Sequence, residues 1–300
     1  MRALAAALLL GLAACSAVEP APVPARDPIT FSDLLQRPRQ APDARIAYGA
    51  APEQFGELWL PVNSTGRPLP VVVLIHGGCW QASLPGTELM DYLAADLRAR
   101  GYAVWNLEYR RIGHAGGGYP GTFQDVARGV DHLRAFARER NLDLDRTVFV
   151  GHSAGGHLAT WAAGRRRLPK DSPLRVGVPL TPRAVVSLAG INDLKAFRAK
   201  GPTRCGGPAT IDDLVDAGRT GADLFGDTSP ARLAPIGIRQ WIYSGELDPI
   251  VPPIFGTEFA AGEPGRARAI TLAGAGHFEL IDPTSAAWRV IVRSIETTLR

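Results

Sequence analysis

The chain has 300 residues, of which 46% are hydrophobic, 21% charged and 7% aromatic, close to an ordinary globular protein. Gly and Pro follow no collagen period, mean hydropathy is near zero, and no apolar run reaches the roughly 20 residues that span a bilayer, which excludes fibrous, disordered and polytopic chains. A formal net charge of +4, from 33 basic residues scattered among 29 acidic ones, leaves no basic stripe for a nucleic-acid partner.

In chain order the first signal is Arg2, the only charge before a short apolar run from Ala3 to Ala14. Charge followed by a short apolar stretch is the order of a secretory signal. Leu12-Ala13-Ala14-Cys15 resembles the bacterial lipobox, in which diacylglycerol alkylates the cysteine thiol and the signal is cut just before it. The resemblance implies a signal peptide over 1–14, lipidation at Cys15 and a membrane anchor in the cell envelope. A buried apolar helix and an ordinary signal cut near the same place are the alternatives. Ser16 after the cysteine favours, by the same resemblance, the outer membrane. Residues 15–28 then read as the lipidated cysteine and a tether, because Pro20, Pro22, Pro24 and Pro28 favour extended chain. Two cysteines remain, Cys79 and Cys205, in a compartment where disulfides persist. They either pair or stand as separate thiols, one of them a small core residue.

The body, 29–300, alternates strand and helix signals. Val71 to Ile75 is a continuous β-branched run, as expected of a strand buried on both faces of a parallel sheet. Further short strands are expected at Tyr102 to Leu107, Thr147 to Val150, Ala184 to Leu188, Gln240 to Tyr243 and Ala269 to Leu272. Leu89, Leu93 and Leu97 mark a helix before Gly101, which sits where a helix ends. Phe123, Val126, Val130, Leu133 and Phe136 make a second apolar stripe. A third helix starts at Ser153, and a last runs from about Ser285 to Leu299. Repeated strand–helix–strand units predict a doubly wound, mostly parallel α/β domain. Residues 195–235 break the rhythm with glycines and prolines and are expected to form a small cap-like insertion, with short helices such as Ile211 to Ala217.

Chemistry enters at Gly151-His152-Ser153-Ala154-Gly155, between the strand Thr147 to Val150 and a helix. This is the setting of a nucleophile elbow, in which a strained turn exposes the serine hydroxyl above the sheet. A serine needs a base to take its proton, and the base needs an acid to hold its tautomer. His277, in a Gly-rich loop after the last strand, is the expected base. His76, His114, His132, His152 and His157 suit packing and backbone hydrogen bonding better. Asp248, in the loop after the strand at 240–243, is the expected acid, ahead of Glu246 and of Asp193, which suits a turn or helix cap. The order Ser153, Asp248, His277 matches the α/β-hydrolase arrangement. His76-Gly77-Gly78-Cys79-Trp80, directly after the strand at 71–75, is positioned to supply backbone donors to an oxyanion.

Together, His76 to Trp80, Asn106 to Arg111, Gly151 to Leu158 and Gly276 to Pro283 resemble bacterial α/β-hydrolases of the esterase and kynurenine-formamidase-like group, over roughly residues 45–300. That resemblance implies acyl transfer to water by Ser153, His277 and Asp248, with the amides of Gly78, Cys79 and Ala154 as the oxyanion hole. It implies no cofactor and no metal. Cys79 departs from the esterase pattern, which has glycine there. Arg110 and Arg111 suit a bracing ion pair better than an acidic substrate group. The expected function is a carboxylesterase acting on small acyl esters. An amidase or arylformamidase, an exopeptidase and a non-catalytic binding protein are the alternatives, in that order.

Overall fold

The computed structural model describes residues 27–62, 66–220 and 223–300. The expected signal peptide, Cys15 and most of the tether lie outside the described residues. The elements open with helix α1 (Phe31–Leu35), strands β1 (Ala44–Ala47), β2 (Phe55–Trp59) and β3 (Leu69–Ile75), helix α2 (Asp91–Ala99) and strand β4 (Ala103–Leu107). They continue with α3 (Gly121–Asp131), α4 (Leu133–Phe136), β5 (Leu142–His152), α5 (Ala154–Gly164) and β6 (Ala184–Leu188). After β6 come α6 (Leu194–Lys200), α7 (Gly207–Val215), α8 (Pro230–Leu233), β7 (Arg239–Gly245), α9 (Pro253–Ala261), β8 (Ala267–Leu272) and α10 (Ala286–Leu299).

These strands form one eight-stranded sheet in the order β1-β2-β4-β3-β5-β6-β7-β8. From β4 to β8 every neighbour is parallel, while β1 and β2 form an antiparallel edge. Continuous apolar runs occupy the centre because both sheet faces are covered there: Val71 to Ile75 and Val148 to Val150 are almost wholly buried. Right-handed crossovers put α2 on one face and α3, α5 and α9 on the other, because the strand order reverses after β4. Helix α10 returns to the α2 side, where Trp288 Nε1 donates to Asp96 at 2.7 Å and Arg100 pairs with Glu296.

Each of the six expected parallel strands is present, β5 and β7 being longer at their ends. The edge hairpin β1–β2 carries no such run, since β1 alternates half-buried and exposed residues. The expected helix over Phe123 to Phe136 is divided at His132 into α3 and α4. Gly101 ends α2 at φ +92°, with its amide on the Arg98 carbonyl, a left-handed conformation that glycine adopts without a Cβ penalty. Between β6 and β7, α7 covers Gly207–Val215, two residues short of the expected Ala217 because Asp216 turns left-handed at φ 52°.

Candidate active site

The site gathers at the carboxyl ends of β3, β5, β7 and β8, where ligands sit in open α/β sheets. Ser153 follows β5 at φ 55° and ψ −121°, strained for a residue with a Cβ, and its amide donates to the Leu188 carbonyl at 2.8 Å. The turn closes only because its neighbours are small. A Cβ on Gly155 would lie 2.0 Å from the Ile75 carbonyl oxygen, and one on Gly151 would lie 2.0 Å from that of Gly155. Every residue of α5 is buried, so the packed helix fixes the turn that precedes it.

In the loop after β7, Asp248 accepts His277 Nδ1–H through Oδ2 at 2.6 Å, while its Oδ1 takes the amides of Ile250 and Val251 at 2.8 and 2.9 Å. Both carboxylate oxygens are thus committed, and Asp248 and His277 are each 4% exposed. The two competing acids lie elsewhere in role. Glu246 accepts the Gly274 amide, and Asp193 caps α6 through the Ala196 amide. Among the described residues, the one hydrogen bond within the Ser153, Asp248 and His277 trio is the acid–imidazole bond. Ser153 and His277 meet as walls of one cavity.

The loop after β3 carries three consecutive left-handed residues, Gly78, Cys79 and Trp80 at φ 101°, 49° and 56°. Two of them have a Cβ, and strain of this kind persists only where the surroundings over-determine it. Four restraints do so here. A disulfide joins Cys79 to Cys205. Trp80 is wholly buried, and its Nε1 donates to His157 Nδ1 at 3.2 Å. Arg111 Nη1 donates to the Leu84 carbonyl at 2.6 Å. His76 stacks on Tyr109 and holds the Gly77 carbonyl and the Glu108 carboxylate on its two ring nitrogens. Burial works against the Glu108 charge, but His76, Arg111 and the Tyr109 amide outweigh it and hold the carboxyl down at about 2. Among the described residues the amides of Gly78, Cys79 and Ala154 donate to no protein group, which leaves them available to an oxyanion.

The other histidines have supporting places. His152 Nε2–H donates to the His277 carbonyl at 3.1 Å; burial, then the neighbouring His277, push the His152 pKa well below the usual imidazole range, so the ring is neutral. His157 Nε2–H donates to the Thr228 carbonyl, and burial lowers its pKa to about 4. Arg110 is held by both oxygens of Asp125, and Arg111 pairs with Glu108; neither lines the cavity.

That cavity, of about 130 Å³, is walled by Ser153, His277, His152, Gly78 and Cys79 and otherwise mainly by Phe31, Leu84, Pro85, Leu89, Ile250 and Phe278, together with the exposed Arg204. Phe31 and Arg204 come from segments with no motif, and no sequence signal marks them as pocket residues. They reach the site through tertiary contacts alone: Phe31 packs edge-on against Phe278, and Arg204 is brought in beside Cys205.

A mostly parallel eight-stranded sheet, a strained serine turn after its central strand and an Asp–His pair beyond β7 and β8 define an α/β-hydrolase fold. Solved structures share it: esterase B from Lactobacillus rhamnosis superimposes with a TM-score of 0.73 at 17% identity, over 89% of this chain and 90% of that one. A bifunctional GH43-CE protein from Bacteroides eggerthii gives 0.70 at 21% identity, over 86% of this chain and 35% of that one. The BD-FAE family profile matches residues 57–261, about two thirds of the chain, and the protein belongs to the BD-FAE family. Esterase LipC of Mycobacterium tuberculosis is 27% identical over 281 residues, covering 87% of this chain. The chain spans 66% of the length of LipC.

Proposed function

We propose that the protein is a serine hydrolase that cleaves small carboxylic esters through an acyl-enzyme. The observation that carries this reading is the Asp248–His277 hydrogen bond of 2.6 Å at the cavity that also holds Ser153. With Nδ1–H fixed on Asp248, the imidazole presents Nε2 as a base. His277 takes the hydroxyl proton as Ser153 Oγ attacks the ester carbonyl. The resulting oxyanion accepts hydrogen bonds from the free amides of Gly78, Cys79 and Ala154. His277 then protonates the leaving alcohol, leaving an acyl-serine, and draws a proton from the water that hydrolyses it. Asp248 keeps its charge throughout and stabilises the imidazolium.

The names of LipC and of esterase B favour esters over amides. An arylformamidase would use the same residues, so the test carries both substrates. p-Nitrophenyl esters from acetate to octanoate and one aryl formamide are given to the wild type and to Ser153→Ala. The expected result is turnover of the short esters, lost in the variant. Preference for the formamide would move the reading to an amidase, and undiminished turnover by Ser153→Ala would exclude the mechanism.

We also propose that the protein is exported and anchored by lipid on Cys15. Support comes from the Leu12 to Cys15 pattern and from the Cys79–Cys205 disulfide, a bond that persists in oxidising compartments. Cys15→Ala is expected to abolish labelling by palmitate and release the protein from the membrane fraction. Membrane association unchanged by that substitution would exclude the anchor, and density fractionation tells outer from inner membrane.

A further inference from the structure

We propose that Arg204 makes the mouth of the cavity a carboxylate subsite, so that the preferred ester carries a carboxylate a few bonds from its scissile carbonyl. The inference rests on the serine-esterase reading and adds a substrate class to it. The cavity walls are apolar from Phe31, Leu84, Pro85, Leu89, Ile250 and Phe278, and Arg204 is the one arginine or lysine among them. Among the described residues its guanidinium makes no hydrogen bond and no ion pair, whereas Arg110, Arg111, Arg165 and Arg219 are each held by a carboxylate. Asp248 and Glu279, on the loops beside His277, are already engaged. Asp248 holds His277 and two amides, and Glu279 takes the amides of Ile29 and Gly276.

The backbone beside this cation is also fixed to the chemistry. Arg204 sits in the single turn Thr203–Cys205, which closes through the Gly206 amide on the Thr203 carbonyl, and Cys205 is bonded to Cys79. Because the Cys79 amide is one of the three free donors, a covalent link ties the arginine to the oxyanion loop. A planar guanidinium matches a carboxylate through two parallel hydrogen bonds, a geometry that a neutral acyl or alkyl group does not use. Such a subsite orients the ester without touching the reacting atoms, and its contribution belongs in KM rather than in kcat.

The test uses matched esters. 4-Acetoxybenzoate against 4-acetoxybenzamide places the charge on the leaving group; mono(4-nitrophenyl) succinate against 4-nitrophenyl butyrate places it on the acyl group. In the wild type at least one charged ester is expected to have the higher kcat/KM of its pair. Arg204→Gln is expected to raise KM for that ester roughly fivefold, the scale of an exposed ion pair, and to leave both neutral esters unchanged. Arg204→Lys should restore part of the effect. Equal losses on charged and neutral esters, or a wild-type preference for the neutral member of both pairs, would overturn the proposal. Binding is read separately, by NMR titration of benzoate and benzamide into Ser153→Ala with and without Arg204→Gln. Tighter binding of benzoate that depends on Arg204 supports the subsite; equal binding of the two overturns it. Failure of the wild type to hydrolyse 4-nitrophenyl butyrate counts against the esterase reading alone, and the titration then decides the subsite.

Discussion

Ser153, Gly155 and Asp248 show how much of the site rests on single atoms. A Cβ at position 155 would meet the Ile75 carbonyl at 2.0 Å, and backbone has nowhere to go in a packed sheet. Gly155→Ala is therefore expected to cost at least 2–3 kcal/mol of stability, the scale of overpacking, read as a lower denaturation midpoint. Asp248→Asn keeps the shape but gives His277 an acceptor or a donor of the wrong kind. Turnover should fall by about 10³–10⁴ with the fold unchanged by circular dichroism. Phe31 acts on size rather than chemistry. It is 38% exposed, lines the cavity and packs against Phe278. Phe31→Ala should open that wall and shift the preferred p-nitrophenyl ester towards longer acyl chains; an unchanged chain-length profile would show that the wall lies elsewhere.

At the scale of elements, the oxyanion loop is held from outside itself. The disulfide closes a loop with a sequence separation of 126, which in the chain-entropy account stabilises the fold by about 4–5 kcal/mol. Cys205→Ser should lower the stability by that order. It should also reduce kcat on neutral short esters, since Cys79 and Trp80 keep their left-handed strain with one restraint fewer. Loss of stability with unaltered kcat would mean that Trp80, His76 and Arg111 suffice. Which elements could be read in the sequence follows from the same physics. The parallel strands and the elbow were legible because burial on both faces demands unbroken β-branched runs, as in Val71 to Ile75, and because Gly151 and Gly155 have a local steric reason. The β1–β2 hairpin was not: one face of an edge strand is solvated, and its alternating residues resemble loop. Helix α9 was equally silent, its start at Pro252-Pro253 reading as a turn. Phe31 and Arg204 belong to the site only through contacts with Phe278 and Cys205, distant in sequence, so no local pattern could announce them.

For the whole molecule, one half-buried acid contributes a pH dependence apart from catalysis. Burial, then the charge of Glu57 on β2, raise the Asp91 carboxyl at the start of α2 to about 7. The folded chain thus keeps a proton that the unfolded chain gives up above about pH 4. Asp91's own contribution to stability should fall as pH rises from about 4 to 7 and level off beyond, opposite in sign to that of His152 and His157, which stay neutral when folded and take up protons on unfolding below about pH 6.5. Asp91→Asn removes the penalty. At pH 8 it is expected to raise stability by about 2 kcal/mol, half the full linkage value because the site is partly open to solvent, and near pH 4 to change little; thermal melts at the two pH values check this. The central claim concerns one hydroxyl, and trapping it is the most direct test. The protein is treated with a fluorophosphonate and digested, and the adduct is located by mass spectrometry. A single phosphonyl group on the peptide carrying Ser153, absent from unfolded protein and strongly reduced in His277→Ala, is the predicted result. Ester turnover that survives without modification of Ser153, or an adduct on another residue that accompanies its loss, would contradict the account.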